Sequence, residues 1–125
     1  MTSPSSAPAV LIVEDEWLIA DMIEHALSHA GYRTLGPAAS VAQALALMAA
    51  KPCDAALLDV NLGSEKSYAV LDRLIVLRVP HLLITGYSIG DLPERYRHCP
   101  CVGKPLVAES LVAALKSLAP VPRAG

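Results

Sequence analysis

The chain has 125 residues, a formal net charge of −2, 54% hydrophobic residues and three cysteines. That length suits one domain with a core able to stand without staples, and the odd cysteine count argues against a disulfide frame. The near-neutral charge lacks a basic patch and argues against nucleic-acid binding. No apolar run approaches the ~18 residues of a membrane span, and no secretory signal is expected.

Residues 1–8 are Ser- and Pro-rich and are expected to form a disordered tail. AVLIV at 9–13 is short, apolar and β-branched, which predicts a strand buried on both faces. From Trp17 to Ala30, Leu18, Ile19, Met22, Ile23, Ala26 and Leu27 recur at helical spacing, and Gly31 offers a C-terminal stop. YRTLGPA is a weaker strand. Ser40 and Gln43 form a capping-box signal for a helix that runs to about Ala50 and ends before Pro52. DAALLDV at 54–60 predicts a strand, and a helix is expected at about 65–77 with Leu71, Leu74 and Ile75 facing inward. HLLIT at 81–85 is another apolar strand. The Gly-, Pro- and charge-rich residues 86–98 carry at most a short helix near 91–97. CPCVG at 99–103 predicts a short strand whose Pro100 favours a sheet edge or strand start. A last helix is expected from Val107 to Leu118, then a frayed tail over 120–125. The folded unit is expected to span residues 9–119.

Strand and helix alternate five times, which predicts an α/β fold with a parallel sheet covered by helices on both faces. In such sheets ligands bind outside the carboxyl ends of the strands. Asp15, Asp59, Thr85 and Lys104 all fall at those ends. A carboxylate nucleophile beside metal-binding carboxylates and one lysine suits phosphoryl transfer. Asp59 can become an aspartyl phosphate, Asp15, Asp59 and Glu14 can bind Mg²⁺, and Lys104 and Thr85 can meet oxygens of the transferring group. Three commoner roles for nearby residues stand beside this. Glu16 is expected to be a helix N-terminal charge rather than a ligand. His25 and His29 suit a solvated helix face, and Cys99 and Cys101 suit buried or half-buried thiols. Trp17, the single tryptophan, is expected to pack under or beside the site and report on metal binding.

The arrangement resembles the receiver domain of two-component response regulators. The resemblance rests on Glu14-Asp15 in LIVEDEW, Asp59 in LLDVNL, Thr85 in LLITGY and Lys104-Pro105 in VGKPL, and it covers about residues 9 to 119. It implies a flavodoxin-like five-stranded sheet of order 2-1-3-4-5, with Asp59 as phospho-acceptor. It also implies Mg²⁺ (or Mn²⁺) held by Glu14, Asp15, Asp59 and the backbone carbonyl of Asn61, and a cis Lys104–Pro105 bond. The chain is then expected to be a cytoplasmic, stand-alone signalling protein rather than an enzyme, assisting only its own Mg²⁺-dependent phosphorylation and dephosphorylation. Its donor would be a histidine kinase or histidine phosphotransfer protein. It would switch binding to an unnamed output protein or relay the phosphate, as a monomer or a phosphorylation-dependent homodimer.

Two departures from that family stand out. Receivers usually carry a Tyr or Phe three residues before the lysine, where this chain has Cys101. The stretch between Asp59 and Lys104 is short, which implies a reduced fourth helix. Both features, with LITGYS, resemble an alphaproteobacterial receiver subgroup named for its Phe-Ala-Thr-Gly-aromatic/Gly-Tyr motif, although Leu83 and Ile84 stand at the Phe and Ala places. Thr85 and Tyr87 are therefore the switch candidates, with Tyr87 taking over some of the missing aromatic's role, although loop packing is the commoner role of such a tyrosine. The rival readings are a pseudo-receiver that binds partners without being phosphorylated, a phosphatase of the haloacid-dehalogenase type, and a flavodoxin. The phosphatase needs an acid/base Asp where Asn61 stands, and the flavodoxin needs a phosphate loop after the first strand.

Overall fold

A computed structural model describes residues 7–86 and 92–118. Five parallel strands form one sheet. They are β1 (Ala9–Val13), β2 (Arg33–Ala38), β3 (Ala55–Asp59), β6 (His81–Thr85) and β7 (Cys101–Gly103), in the order β2-β1-β3-β6-β7. Among the described residues, helices α1 (Trp17–His29), α2 (Val41–Ala50) and α3 (Tyr68–Val76) connect strands of the sheet, and α4 (Ala108–Lys116) follows β7. Two-residue strands β4 (Asn61–Leu62) and β5 (Glu65–Lys66) make a small antiparallel hairpin between β3 and α3. Without that hairpin the order is the expected 2-1-3-4-5. Among the described residues no helix is long and apolar enough to cross a membrane.

The sheet divides its side chains by parity, as a pleated strand must. Val10, Ile12, Leu57, Leu82 and Ile84 join Ile23 and Leu27 of α1 and Leu111 and Leu115 of α4. Leu11, Val13, Ala56, Leu58 and Leu83 join Ala44 of α2 and Val70, Leu71 and Leu74 of α3. All five residues of β1 are buried, so its apolar run has no polar face to show. Each fully buried Leu or Ile contributes roughly 1.5–3 kcal/mol, so the three inner strands β1, β3 and β6 anchor the fold.

Helix ends follow the local sequence. The Ser40 hydroxyl accepts the Gln43 N–H at 3.1 Å, and Gln43 Oε1 reaches back to the Ala39 N–H at 2.8 Å. At the end of α1, Gly31 takes a φ of +93°, its N–H donates to the Ser28 carbonyl, and the Tyr32 N–H donates to the Leu27 carbonyl. Those two bonds close a Schellman motif. Edge strand β2 holds Gly36 at a φ of +98°, where a Cβ would come within 2.8 Å of the Ile12 carbonyl oxygen. Only glycine fits there.

Several expectations need correction. The helix expected from 65 begins at Tyr68, because residues 65–66 pair in the hairpin. Ile75 is exposed rather than inward. At 100° per residue, Val70, Leu71 and Leu74 fill the buried stripe and Ile75 falls about 95° off its centre. The last strand starts at Cys101 rather than Cys99. Between β6 and β7 the described residues carry one 3₁₀ turn, Glu94–Tyr96, where the reduced helix was expected.

Candidate phosphoryl-transfer site

The site grows from the carboxyl ends of β1, β3, β6 and β7. β1 and β3 are adjacent, so Glu14 and Asp15, just past Val13, stand beside Asp59, the last residue of β3. β3 pairs with β6 up to Asp59 opposite Ile84, and β6 pairs with β7 up to Thr85 opposite Gly103. The Lys104 N–H donates to the Thr85 carbonyl at 3.1 Å, which sets the lysine one step beyond the sheet. The Lys104–Pro105 bond that follows is cis.

Glu14, Asp15 and Asp59 each offer a carboxylate oxygen, and the three oxygens lie within 4.8 Å of one another. Glu14 and Asp59 are each 2% exposed, whereas Asp15 is open to solvent. Asp59 is held on both oxygens: Oδ1 accepts the Asn61 N–H at 2.9 Å, and Oδ2 accepts Lys104 Nζ at 2.6 Å. Burial alone would lower the Lys104 pKa, but its bond to Asp59 and the charges of Asp59, Glu14 and Glu16 raise it above the usual lysine value. That ammonium therefore stays charged, at an effective dielectric where a close pair is worth far more than in bulk water.

Glu14 is the unbalanced member. Its Oε1 accepts the Glu16 N–H at 3.1 Å, while Oε2 is buried with no hydrogen-bond partner. Burial first, and the neighbouring Asp59 carboxylate second, push its pKa from 4.5 up to about 8. A buried, orphaned carboxylate oxygen beside two further carboxylates suits a hard divalent cation, which would relieve the repulsion and satisfy the orphan. The donor set therefore fits Mg²⁺ or Mn²⁺.

Thr85 is buried at the end of β6, on the strand between those of Asp59 and Lys104. Tyr87 lies outside the described residues. Glu16 is the exposed N-cap residue of α1. Trp17 does not pack under the site: it is 74% exposed at the start of α1, because that helix turns Ala20, Ile23 and Leu27 inward instead. His25 sits on the solvent side with Asp21. Cys99 is buried and Cys101 half-buried, and both are free thiols in the core on the α2–α3 side.

Two features were missed from sequence. One is the β4–β5 hairpin, whose Lys66 Nζ donates to Asn61 Oδ1. Its signal was present: Gly63-Ser64 between two pairing dipeptides is a two-residue hairpin turn, and Gly63 takes a φ of +61°. The other is Tyr96, buried at the 3₁₀ turn, stacked on Tyr68 with ring centroids 5.0 Å apart. Its hydroxyl donates to Asp72 Oδ1 at 2.6 Å. Nothing in the sequence around Tyr96 marks it as buried.

A model of the response regulator receiver domain family matches residues 10–116. The chain belongs to that family. Receivers are signalling proteins rather than conventional enzymes, and they typically bind Mg²⁺ in an acidic pocket such as the one formed here by Glu14, Asp15 and Asp59. The solution structure of SdrG from Sphingomonas melonis Fr1 is 38% identical, with a TM-score of 0.78 over 92% of this chain and 97% of that one. A solution structure of the BeF3-activated conformation of SdrG, from Pseudomonas melonis Fr1, is 40% identical, with a TM-score of 0.75 over 89% and 96% of the two chains. The transcriptional regulatory protein YvrH of Bacillus subtilis (strain 168) is 38% identical over 60 residues, which is 48% of this receiver and 25% of that protein. The match thus spans about a quarter of that curated relative.

Proposed function

We propose that this receiver accepts a phosphoryl group on Asp59 from the phosphohistidine of a histidine kinase or histidine phosphotransfer protein. The observation that carries the reading is Asp59 itself: a buried carboxylate with Lys104 Nζ at 2.6 Å and two further carboxylates within 4.8 Å. In the transfer, an Asp59 oxygen attacks phosphorus, the donor N–P bond breaks, and its electron pair leaves with the imidazole. Positioning and charge neutralisation carry such a step.

Glu14, Asp15, Asp59 and the Asn61 backbone carbonyl would hold Mg²⁺, or Mn²⁺. When bound, the metal neutralises charge on the transferring group. Lys104 begins on Asp59 and would follow the negative charge onto a phosphoryl oxygen. Thr85 would donate its hydroxyl to another. The Asn61 N–H steadies the carboxylate oxygen that it already contacts.

The phosphorylated protein then alters its affinity for an output protein or relays the phosphate, as a monomer or a phosphorylation-dependent homodimer in the cytoplasm. Residues 9–119 form the unit that does this. It assists its own phosphorylation and dephosphorylation and turns over no other substrate. The test is intact-protein mass after incubation with acetyl phosphate, with and without Mg²⁺, for the wild type and Asp59→Asn. A gain of one phosphoryl group that needs both Mg²⁺ and Asp59 is expected. No gain with either acetyl phosphate or a phosphorylated histidine donor would overturn the reading in favour of an unphosphorylated interaction module.

A further inference from the structure

The β4–β5 hairpin lies along the mouth of the site. Asn61 pairs with Lys66 and Leu62 with Glu65, so the turn is Gly63-Ser64. A Cβ on Gly63 would lie 3.7 Å from Asp15 Oδ2. Three anchors fix the hairpin: Leu62 is buried, the Ser67 N–H donates to the Val60 carbonyl at 3.0 Å, and Glu65 Oε2 accepts the Val41 N–H at 3.2 Å. Across its open end, Lys66 Nζ bonds the Asn61 side chain. An ammonium has donors only, so it must face the carboxamide oxygen.

That oxygen is the sole acceptor on the side chain two residues from Asp59. The Asn61 N–H already bonds Asp59 Oδ1, so its carboxamide belongs to the turn that holds the phospho-acceptor, and a glutamine in some nucleotide hydrolases orients water for attack on phosphorus. The Lys66 ammonium takes one lone pair and draws charge from the other.

We infer that Lys66 is a positioning residue that lengthens the life of the phosphoryl group on Asp59, by keeping the Asn61 carboxamide from orienting a hydrolytic water. The inference rests on phosphorylation of Asp59. In the step it slows, a water oxygen attacks phosphorus, the P–O bond to Asp59 breaks, and its electron pair returns to the carboxylate. The products are free Asp59, hydrogen phosphate and one proton.

The experiment loads the full chain with acetyl phosphate and Mg²⁺, removes the donor, and follows the phosphorylated mass over time. Lys66→Met should decay faster than wild type by about fivefold, the factor that one net hydrogen bond in the transition state supplies. Lys66→Arg, which still donates to the carboxamide, should decay like wild type. Adding Asn61→Ala to Lys66→Met keeps the backbone N–H and carbonyl but removes the acceptor, and should return decay to the slow rate. A merely structural role for Lys66 would not be reversed by a second truncation. Equal or slower decay of Lys66→Met overturns the inference, as does a fast double variant or a Lys66→Met chain that takes up no phosphate while wild type does. If wild type itself takes up none, the phosphorylation reading fails instead.

Discussion

The acidic pocket and the Tyr96 cluster are both built from polar groups against the sheet, yet they solve burial in opposite ways. Around Tyr96, the buried hydroxyl donates to Asp72 and accepts from Arg95 at 2.5 Å, and both charged partners reach solvent. In the acidic pocket, Glu14 and Asp59 are buried together, Lys104 pairs with Asp59, and Glu14 Oε2 has no hydrogen-bond partner among the described residues. A polar group that is fully paired stabilises and specifies packing, whereas an unpaired buried carboxylate costs stability. The first arrangement suits a fixed contact. The second suits a site that waits for a cation and a phosphoryl group.

The largest test of this contrast is Asp59→Asn. Phosphoryl uptake should vanish completely in an intact-mass assay, while thermal unfolding stays cooperative. Lys104→Met should also cut the uptake rate strongly, by a factor of about 100.

Next comes the pH behaviour of Glu14. Its pKa is raised in the fold from 4.5 to about 8, so between those values the folded state binds a proton that the unfolded state does not. Its contribution to the metal-free fold is fully present below pH 4.5 and is lost as pH rises through about 8. Denaturant titrations in a chelator should show stability falling across that window, and Glu14→Gln should flatten the fall. Mg²⁺ affinity should rise over the same window, because the cation displaces that proton. A decline unchanged in Glu14→Gln would remove the contrast between the two regions.

A smaller effect is expected at the other cluster. Tyr96→Phe keeps the ring stacked on Tyr68 and loses the hydroxyl's bonds to Asp72 and Arg95, costing about 1 kcal/mol in a denaturant titration. Its uptake of phosphate should match wild type, since the loss lies outside the site. Smallest is Trp17→Phe: its exposure predicts a stability change within about 0.5 kcal/mol. The wild-type indole, two residues from Asp15, should still report Mg²⁺ by a change in emission.

The strands and most helices were legible because their signals are local. β1, β3 and β6 are apolar runs of strand length, and α1 repeats its apolar residues at helical spacing with a glycine stop. Asp15, Asp59, Thr85 and Lys104 were legible as a group because a parallel sheet brings the ends of its strands to one edge whatever the loops do. Other features depend on neighbours distant in the chain. Ile75 was expected inside, but which stripe of α3 is buried depends on where the hairpin lets that helix begin. Trp17 was expected near the site, but the rotation of α1 is set by Ile23 and Leu27 against β1 and β3.

The sequence alone thus determined a parallel sheet and the group of residues at its edge, since period, strand length and strand-end chemistry are written residue by residue, while the order of the strands was implied by the resemblance to receivers. Only the tertiary structure decided that Glu14 is buried with an orphaned oxygen while Asp15 beside it is exposed. It also decided that Tyr96 packs on Tyr68, and that Lys66 folds back onto Asn61. Burial and pairing belong to the assembled surfaces, and no single stretch of chain carries them.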